Sequence, residues 1–164
     1  MHSVCDHRSF VSPAQVLLFE KTCPHRNLNN GGNPLVNKYS SLIIVKRELR
    51  ASPESAWDLL TDTTKWRWWG PTVRSVTCSD RYIRKGSWGK VCTPIGLWVP
   101  FLITEYEHEN YWTWKVAGIQ ATGHRLIPFN TNSCIVAFEL PLSWMPYVIV
   151  CRIALKRMAK HLEA

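Results

Sequence analysis

The segment at residues 41–71 constrains the fold of this 164-residue chain more than any other. An apolar run at residues 42–45 leads through charged residues into Ala-Ser-Pro-Glu-Ser-Ala-Trp, and Lys-Trp-Arg-Trp-Trp-Gly-Pro follows closely. Ser52 can accept hydrogen bonds from the free N–H groups that begin a helix, and Pro53 suits the first helical position because an N–H has no partner there. The segment therefore predicts a strand, a capped helix and a Trp-rich turn at residues 65–71, which we call the corner.

The rest of the chain predicts a meander of short strands followed by one long helix. The predicted strands are 72–78, 87–93, 97–106, 111–117, 122–129 and 133–140, divided by turn residues. Short connections of this kind imply antiparallel pairing. The helix is predicted at residues 143–162, where Cys151, Leu155 and Met158 fall on one apolar stripe. Together these elements indicate an α+β domain in which a sheet packs on the terminal helix.

This order of elements and motifs resembles that of the START-like, helix-grip superfamily (SRPBCC), which includes polyketide cyclases and carriers of lipids or other hydrophobic ligands. The resemblance rests on the helix start at residues 51–57, on Gly86 and Gly89, on the aromatic strand at 111–114 and on the Gly-His-Arg-Leu run at 123–126. It implies a helix-grip fold, with a curved antiparallel sheet of six to seven strands wrapped around the C-terminal helix and two small helices after the first strand. In that family a ligand cavity lies between sheet and helix.

Composition divides the chain into two parts. Residues 1–40 contain no Trp and end in a run rich in Asn and Gly, which predicts an extension and linker that is disordered or loosely attached. All nine Trp residues fall in residues 41–164, which we take as the helix-grip domain. The apolar run at 16–19 is too short for a signal-peptide core. The six Cys residues follow no disulfide framework, so we expect a reducing, cytoplasmic setting.

Charge and Cys–His spacing restrict the partners and cofactors that we expect. The chain has 20 Lys and Arg against 12 Asp and Glu, an excess that is compatible with transient contact with an anionic membrane surface. No RNP-like or helix-turn-helix pattern accompanies the excess, so we expect no nucleic-acid partner. The apolar start of the last helix is too short to span a bilayer.

The pairs Cys5-x-His7 and Cys23-x-His25 are spaced too tightly for zinc, so we expect no metal and no cofactor. The sequence leaves the oligomeric state open.

Aromatic side chains dominate the candidate ligand site. The candidate ligand-binding residues are Trp66, Trp68, Trp69, Trp98, Trp112, Trp114, His124, Tyr147 and Cys151. Alternation places Trp112 and Trp114 on one face of their strand, which is either the cavity wall or the outer face of the sheet, with Thr113 on the wetter side. At least one of the three corner Trp residues should face solvent or a ligand, because three large rings so close in sequence cannot all enter one core.

Three functions fit these residues. The first is binding or transport of a small hydrophobic molecule such as a lipid, a polyketide or an isoprenoid-like compound, in an aromatic cavity. The second is a cyclase or dehydratase that uses His124 as acid or base, with Glu105, Tyr106, Arg125 and Glu139 as further polar candidates. The third is a protein-binding module similar to the chaperone-activator relatives of the fold. A dry aromatic cavity favours the first, convergent polar groups at His124 favour the second, and a filled interior favours the third.

Overall fold

The computed structural model describes residues 16–19 and 42–164, of which residues 16–19 are described at the level of the backbone. The strands are β1 (Val16–Phe19), β2 (Leu42–Leu49), β3 (Ser75–Cys78), β4 (Trp88–Cys92), β5 (Trp98–Glu107), β6 (Tyr111–Val116), β7 (Ile119–Asn130) and β8 (Ser133–Pro141). The helices are α1 (Pro53–Thr61), α2 (Trp66–Trp69) and α3 (Val148–Leu162). Short 3-10 turns at Thr63–Lys65 and Leu142–Tyr147 precede α2 and α3.

All these strands form one antiparallel sheet in the order β1-β2-β8-β7-β6-β5-β4-β3. The helices α1 and α2 follow β2, and α3 packs on the inner face of the sheet. The predicted fold class is therefore confirmed. The sheet has one strand more than expected because β1, which lies inside the predicted extension, pairs with β2 over Val16–Phe19. The division of the chain at residue 40 stays a prediction, and the other residues before 42 lie outside the described residues.

The predicted helix start and corner form as the sequence indicates. Ser52 caps α1, since its Oγ accepts a hydrogen bond from the Ser55 N–H at 3.1 Å. Asp62, which is fully buried, ends α1 and accepts hydrogen bonds from the Thr64 N–H and from Nη2 of Arg81 at 2.9 Å. These contacts hold the corner against the loop that precedes β4, so the Trp residues of α2 have fixed positions.

One face of α3 completes the core. Cys151, Leu155 and Met158 are buried against the sheet, as the apolar stripe predicted, whereas Lys156 is exposed. The inner face of β5 presents Phe101 to the same core. Because α3 lies across a curved sheet, the two surfaces separate near the start of the helix, and that separation positions the candidate site.

Candidate functional site

A cavity lies between the sheet and the segment that leads into α3. It has a volume of about 200 Å³ and an almost entirely apolar wall. Its lining residues are Thr72, Val73, Val91, Thr93, Val99, Trp114, Val116, Ala121, Thr122, Leu140, Trp144 and Tyr147. A second, smaller space of about 40 Å³ adjoins it and extends toward the α2 corner, where Trp69, His124 and Cys151 contribute to the wall. The two spaces share Trp114 and Tyr147 as walls.

Stacked rings form the floor behind the smaller space. Trp66 and Trp112 lie parallel, with ring centroids 5.6 Å apart, and His124 stacks on the other side of Trp112 at 3.8 Å. Trp114 meets both His124 and Trp66 edge-on, at 6.1 and 5.4 Å. Offset and edge-to-face contacts of this kind stabilise aromatic clusters beyond the area that they bury. The rings therefore pack against one another behind the smaller space, and the larger cavity lies beside them.

His124 sits inside this cluster as a neutral imidazole. Burial lowers the pKa of His124 from 6.5 to about 3, and a polar contact with the Trp112 backbone opposes that shift only in part. Its Nε2 lies 3.3 Å from Oγ1 of Thr122, which also accepts a hydrogen bond from Nε1 of Trp114 at 3.2 Å. The direction of the Thr122 contact depends on which imidazole nitrogen carries the proton. Because the pKa of His124 lies far below 7, the ring carries no charge at neutral pH.

The remaining polar groups of the wall are also uncharged at neutral pH. The hydroxyls of Thr72 and Tyr147 form a hydrogen bond of 3.1 Å at the junction of the two spaces. Burial raises the pKa of Tyr147, and it raises the pKa of the Cys151 thiol to about 12. The described residues of the lining thus offer hydroxyl groups and ring faces and include no charged side chain.

The structure brings together six of the nine predicted site residues and separates three. Trp66, Trp69, Trp114, His124, Tyr147 and Cys151 line the two spaces. Trp112 is fully buried behind them, so it supports the wall without reaching the cavity. Trp68 and Trp98 are 41% and 51% exposed and point away from the interior. For Trp98 the reason is alternation along β5, because the inner face of that strand carries Val99 and Phe101.

The strand that carries Trp112 and Trp114 also departs from simple alternation. The pairing of β6 with β7 shifts register between Thr113 and Lys115. Thr113 is buried rather than on the wetter side, because the Gln120 side chain covers it and donates a hydrogen bond to its Oγ1 at 2.7 Å. Alternation already places both indoles on the inner face, and the Gln120 side chain beside the register shift covers the residue between them.

Several wall residues were not predicted from the sequence. Thr122 could have been found, because it lies two residues before His124 on the same strand and therefore shares its face. Thr72 and Trp144 could not be found in this way, since Thr72 lies in a turn and Trp144 in the 3-10 turn before α3, and both segments reach the cavity only through the tertiary fold.

The polar residues considered for acid–base chemistry do not meet at His124. Glu139 and Arg125 form an ion pair, with Oε1 and Nε 2.6 Å apart, and the guanidinium of Arg125 lies over the Tyr111 ring. Tyr106 packs on Trp57 and its hydroxyl lies 3.2 Å from Nδ1 of His108. Glu105 does not line either space. Neither Glu105 nor Glu139 is therefore positioned to share a proton with the imidazole.

Within the part of the chain that the structure describes, no three His, Cys, Asp or Glu side chains are grouped so that they could hold a metal ion. The Cys-x-His pairs at 5–7 and 23–25 lie outside the described residues. No helix among the described residues is long and apolar enough to cross a bilayer.

Comparison with known proteins identifies the fold but no family. No family and no curated protein matches the chain. Among solved structures, the chain is similar to XoxI of Bacillus cereus, with 13% identity, a TM-score of 0.60 and coverage of 74% of this chain and 95% of that one. A protein of Chromobacterium violaceum has 18% identity and a TM-score of 0.57, with coverage of 75% and 97%. DynU16, from the dynemicin biosynthetic locus, has 16% identity and a TM-score of 0.57, with coverage of 75% of this chain and 47% of that protein. At these identities the likeness concerns the fold alone.

Proposed function

We propose that this chain is a helix-grip domain of the START-like kind and that it binds a small, flat, uncharged hydrophobic molecule in the cavity between the sheet and α3. The observation that carries the proposal is the apolar cavity of about 200 Å³ walled by Trp114, Tyr147 and Trp144. Ligand sites in proteins are typically concave, mostly apolar and provided with a few polar groups that fix orientation. The hydroxyls of Thr72 and Thr122 are suitable as such groups here.

The volume favours a ligand of one or two rings over a long lipid. An engineered apolar cavity of about 150 Å³ stays dry and takes up benzene. A cavity of about 200 Å³ beside a second of about 40 Å³ therefore suits a molecule somewhat larger than a single ring. Extended polyketides and acyl chains need the larger sites, from about 300 Å³ upward, that ordinary ligand pockets provide.

The uncharged state of His124 favours ligand binding over acid–base catalysis. A general acid or base works best when its pKa lies near the operating pH. Burial lowers the pKa of His124 to about 3, and among the described residues no carboxylate lies beside the imidazole to raise it. The open cavity in turn favours a ligand carrier over a protein-binding module with a filled interior.

Binding is tested by quenching of Trp fluorescence with N-phenyl-1-naphthylamine, a neutral two-ring dye, followed by competition with single-ring compounds and with a long fatty acid. We expect saturable quenching with a Kd in the micromolar range or below. Val99→Phe should weaken dye binding about ten-fold or more, because the added ring occupies the cavity. The matched control is Leu102→Phe on the exposed face of the same strand, which should bind as the wild type does.

Two results would contradict the proposal. One is the absence of saturable binding by every one-ring and two-ring compound in the panel. The other is a folded Val99→Phe variant with unchanged affinity, which would place the dye elsewhere. Displacement of the dye by the fatty acid, but by none of the single-ring compounds, would contradict the inference that the cavity prefers one or two rings to a long lipid.

A further inference from the structure

The segments around the cavity mouth all lie at one end of the sheet. In the antiparallel ladder, Trp98 pairs with Cys92, Val116 pairs with Ile119, and Leu42 pairs with Pro141. The β4–β5 turn, the β6–β7 turn and the 3-10 turn before α3 therefore converge at this end. We call this surface the cavity rim and define it as residues 93–98, 117–119 and 142–149.

The cavity rim is unusually apolar for an exposed surface. Eight large hydrophobic side chains are exposed there, namely Ile95, Leu97, Trp98, Ile119, Leu142, Trp144, Met145 and Ile149. Ile95 is 81% exposed and Ile149 is 64% exposed. Large contiguous apolar patches are uncommon on monomeric soluble proteins and mark sites of interaction with proteins or membranes. Trp144 belongs both to the rim and to the cavity wall, so the patch is continuous with the mouth.

Among the described residues, the charged side chains in and beside the rim segments are all basic. Arg74, Lys90, Lys115 and Arg152 lie within or next to the segments at this end. Residues 70–75, 90–99, 115–121 and 141–153 contain no Asp or Glu. The nearest carboxylate along β8, that of Glu139, is neutralised by Arg125. In the part of the chain that the structure describes, the rim thus has an apolar centre with basic flanks, which complements a surface that is apolar within and anionic at its boundary.

We infer that the cavity rim docks on the surface of an anionic lipid bilayer, with Ile95, Ile119 and Ile149 inserted among the acyl chains. Peripheral proteins bind membranes in this way, by burying apolar side chains at the headgroup boundary while Lys and Arg attract anionic lipids. Trp98 and Trp144 suit that boundary, since the indole is apolar with one polar N–H group. The bound state would place the cavity mouth directly against the hydrophobic layer.

A bilayer fits these observations better than a protein partner does. Protein interfaces typically surround an apolar centre with a polar rim that makes directed hydrogen bonds. Here the side chains at the centre are aliphatic or aromatic, and the charges beside them are of one sign. A fluid, anionic surface needs no directed hydrogen bonds, and its negative charge attracts these positively charged side chains.

The test is sedimentation of the full-length chain with vesicles of phosphatidylcholine, with and without roughly one quarter phosphatidylserine. We expect binding to the phosphatidylserine vesicles, weaker binding to the neutral ones, and loss of the difference at about 1 M salt. Ile149→Ser should lower the partition coefficient about ten-fold, because one buried aliphatic side chain is removed from the lipid phase.

Matched controls lie at the opposite end of the sheet. Phe129 is 73% exposed near the β7–β8 turn, so Phe129→Ser removes an equally exposed apolar side chain without touching the rim. Lys115→Glu should weaken binding to anionic vesicles, whereas Lys85→Glu, in the loop before β4, should have little effect.

Three results would overturn the inference: a full-length chain that stays in the supernatant with every vesicle, equal binding to neutral and anionic vesicles, or equal effects of Ile149→Ser and Phe129→Ser. Self-association that covers the rim would give the first result together with a doubled mass. Because the dye measurement above uses no membrane, the ligand proposal and this one can fail separately.

Discussion

The imidazole of His124 lies flat against the indole of Trp112, with ring centroids 3.8 Å apart and planes 13° from parallel. Phe138 closes a second side of the imidazole at 4.7 Å. An imidazolium ion would lose its hydration here without gaining a counter-ion. The aromatic cluster therefore stabilises the neutral form of His124, which links the packing of the interior to the behaviour of the protein in acid.

This packing predicts that the free energy of unfolding falls as the pH drops below about 6.5, where His124 of the unfolded chain takes up a proton. The folded chain resists that proton until its own pKa of about 3, so the unfolded state binds more protons between these two values. The loss attributable to this one group should be about 2 kcal/mol between roughly pH 7.5 and pH 5. Urea denaturation of the wild type and of His124→Phe at both pH values isolates the contribution of His124 to the free energy of unfolding, because the two proteins have the same carboxylates.

The exposed His108 provides the control for that measurement. His108→Gln removes a His whose side chain is 73% exposed, so it controls for the loss of a His residue outside the core. Parallel pH profiles for the wild type and His124→Phe would show that the imidazole is not held in a dry site.

Two Trp residues of α2, Trp66 and Trp68, should respond very differently to the same substitution. Trp66 is buried, and its Nε1 donates a hydrogen bond to the Leu60 carbonyl at 3.0 Å. Trp66→Phe removes that bond and leaves a void beside Trp112, so it should cost about 2 to 3 kcal/mol. Trp68→Phe should cost less than about 0.5 kcal/mol, because Trp68 is largely exposed and contacts the His161 ring. Chemical denaturation measures both, and equal costs would contradict the assigned packing of the corner.

The third prediction concerns β1. Its pairing with β2 gives the sheet an additional edge strand, so deletion of residues 1–19 should lower the melting temperature by several degrees. For a domain of this size about 1 kcal/mol corresponds to about 2 to 4 °C. The composition of residues 1–40 alone predicts a negligible change. Deletion of residues 1–15 retains β1 and isolates the contribution of the strand, and equal melting temperatures for both deletions and the wild type would show that the pairing adds no stability.

The elements of the domain follow from local patterns that the sequence displays. Ser52 and Pro53 predict the start of α1, and the structure places them there because capping depends on neighbours within one turn. The apolar stripe of α3 likewise predicts which side is buried, since helical periodicity fixes the face. Strand positions from β3 to β8 are predicted to within a few residues for the same reason.

The candidate site is predictable only in part, because the face of a strand that meets the core depends on pairing. Trp98 was expected at the cavity and lies on the outer face of β5, since the sequence shows alternation but not which side is inward. Trp112 and Trp114 both turn inward, with the register shift beside Thr113. Thr72 enters the wall from a loop whose position no local pattern determines.

The sequence by itself determined the order of strands and helices from β2 onward, the cap of α1 and the buried face of α3, because each depends on contacts within a few residues. The tertiary structure decided what the aromatic residues do. It stacked Trp66, Trp112 and His124 into a floor that removes the charge from the imidazole, and it turned Trp98 outward onto the cavity rim. These outcomes depend on sheet curvature, strand register and packing between distant segments, which are properties of the folded chain as a whole.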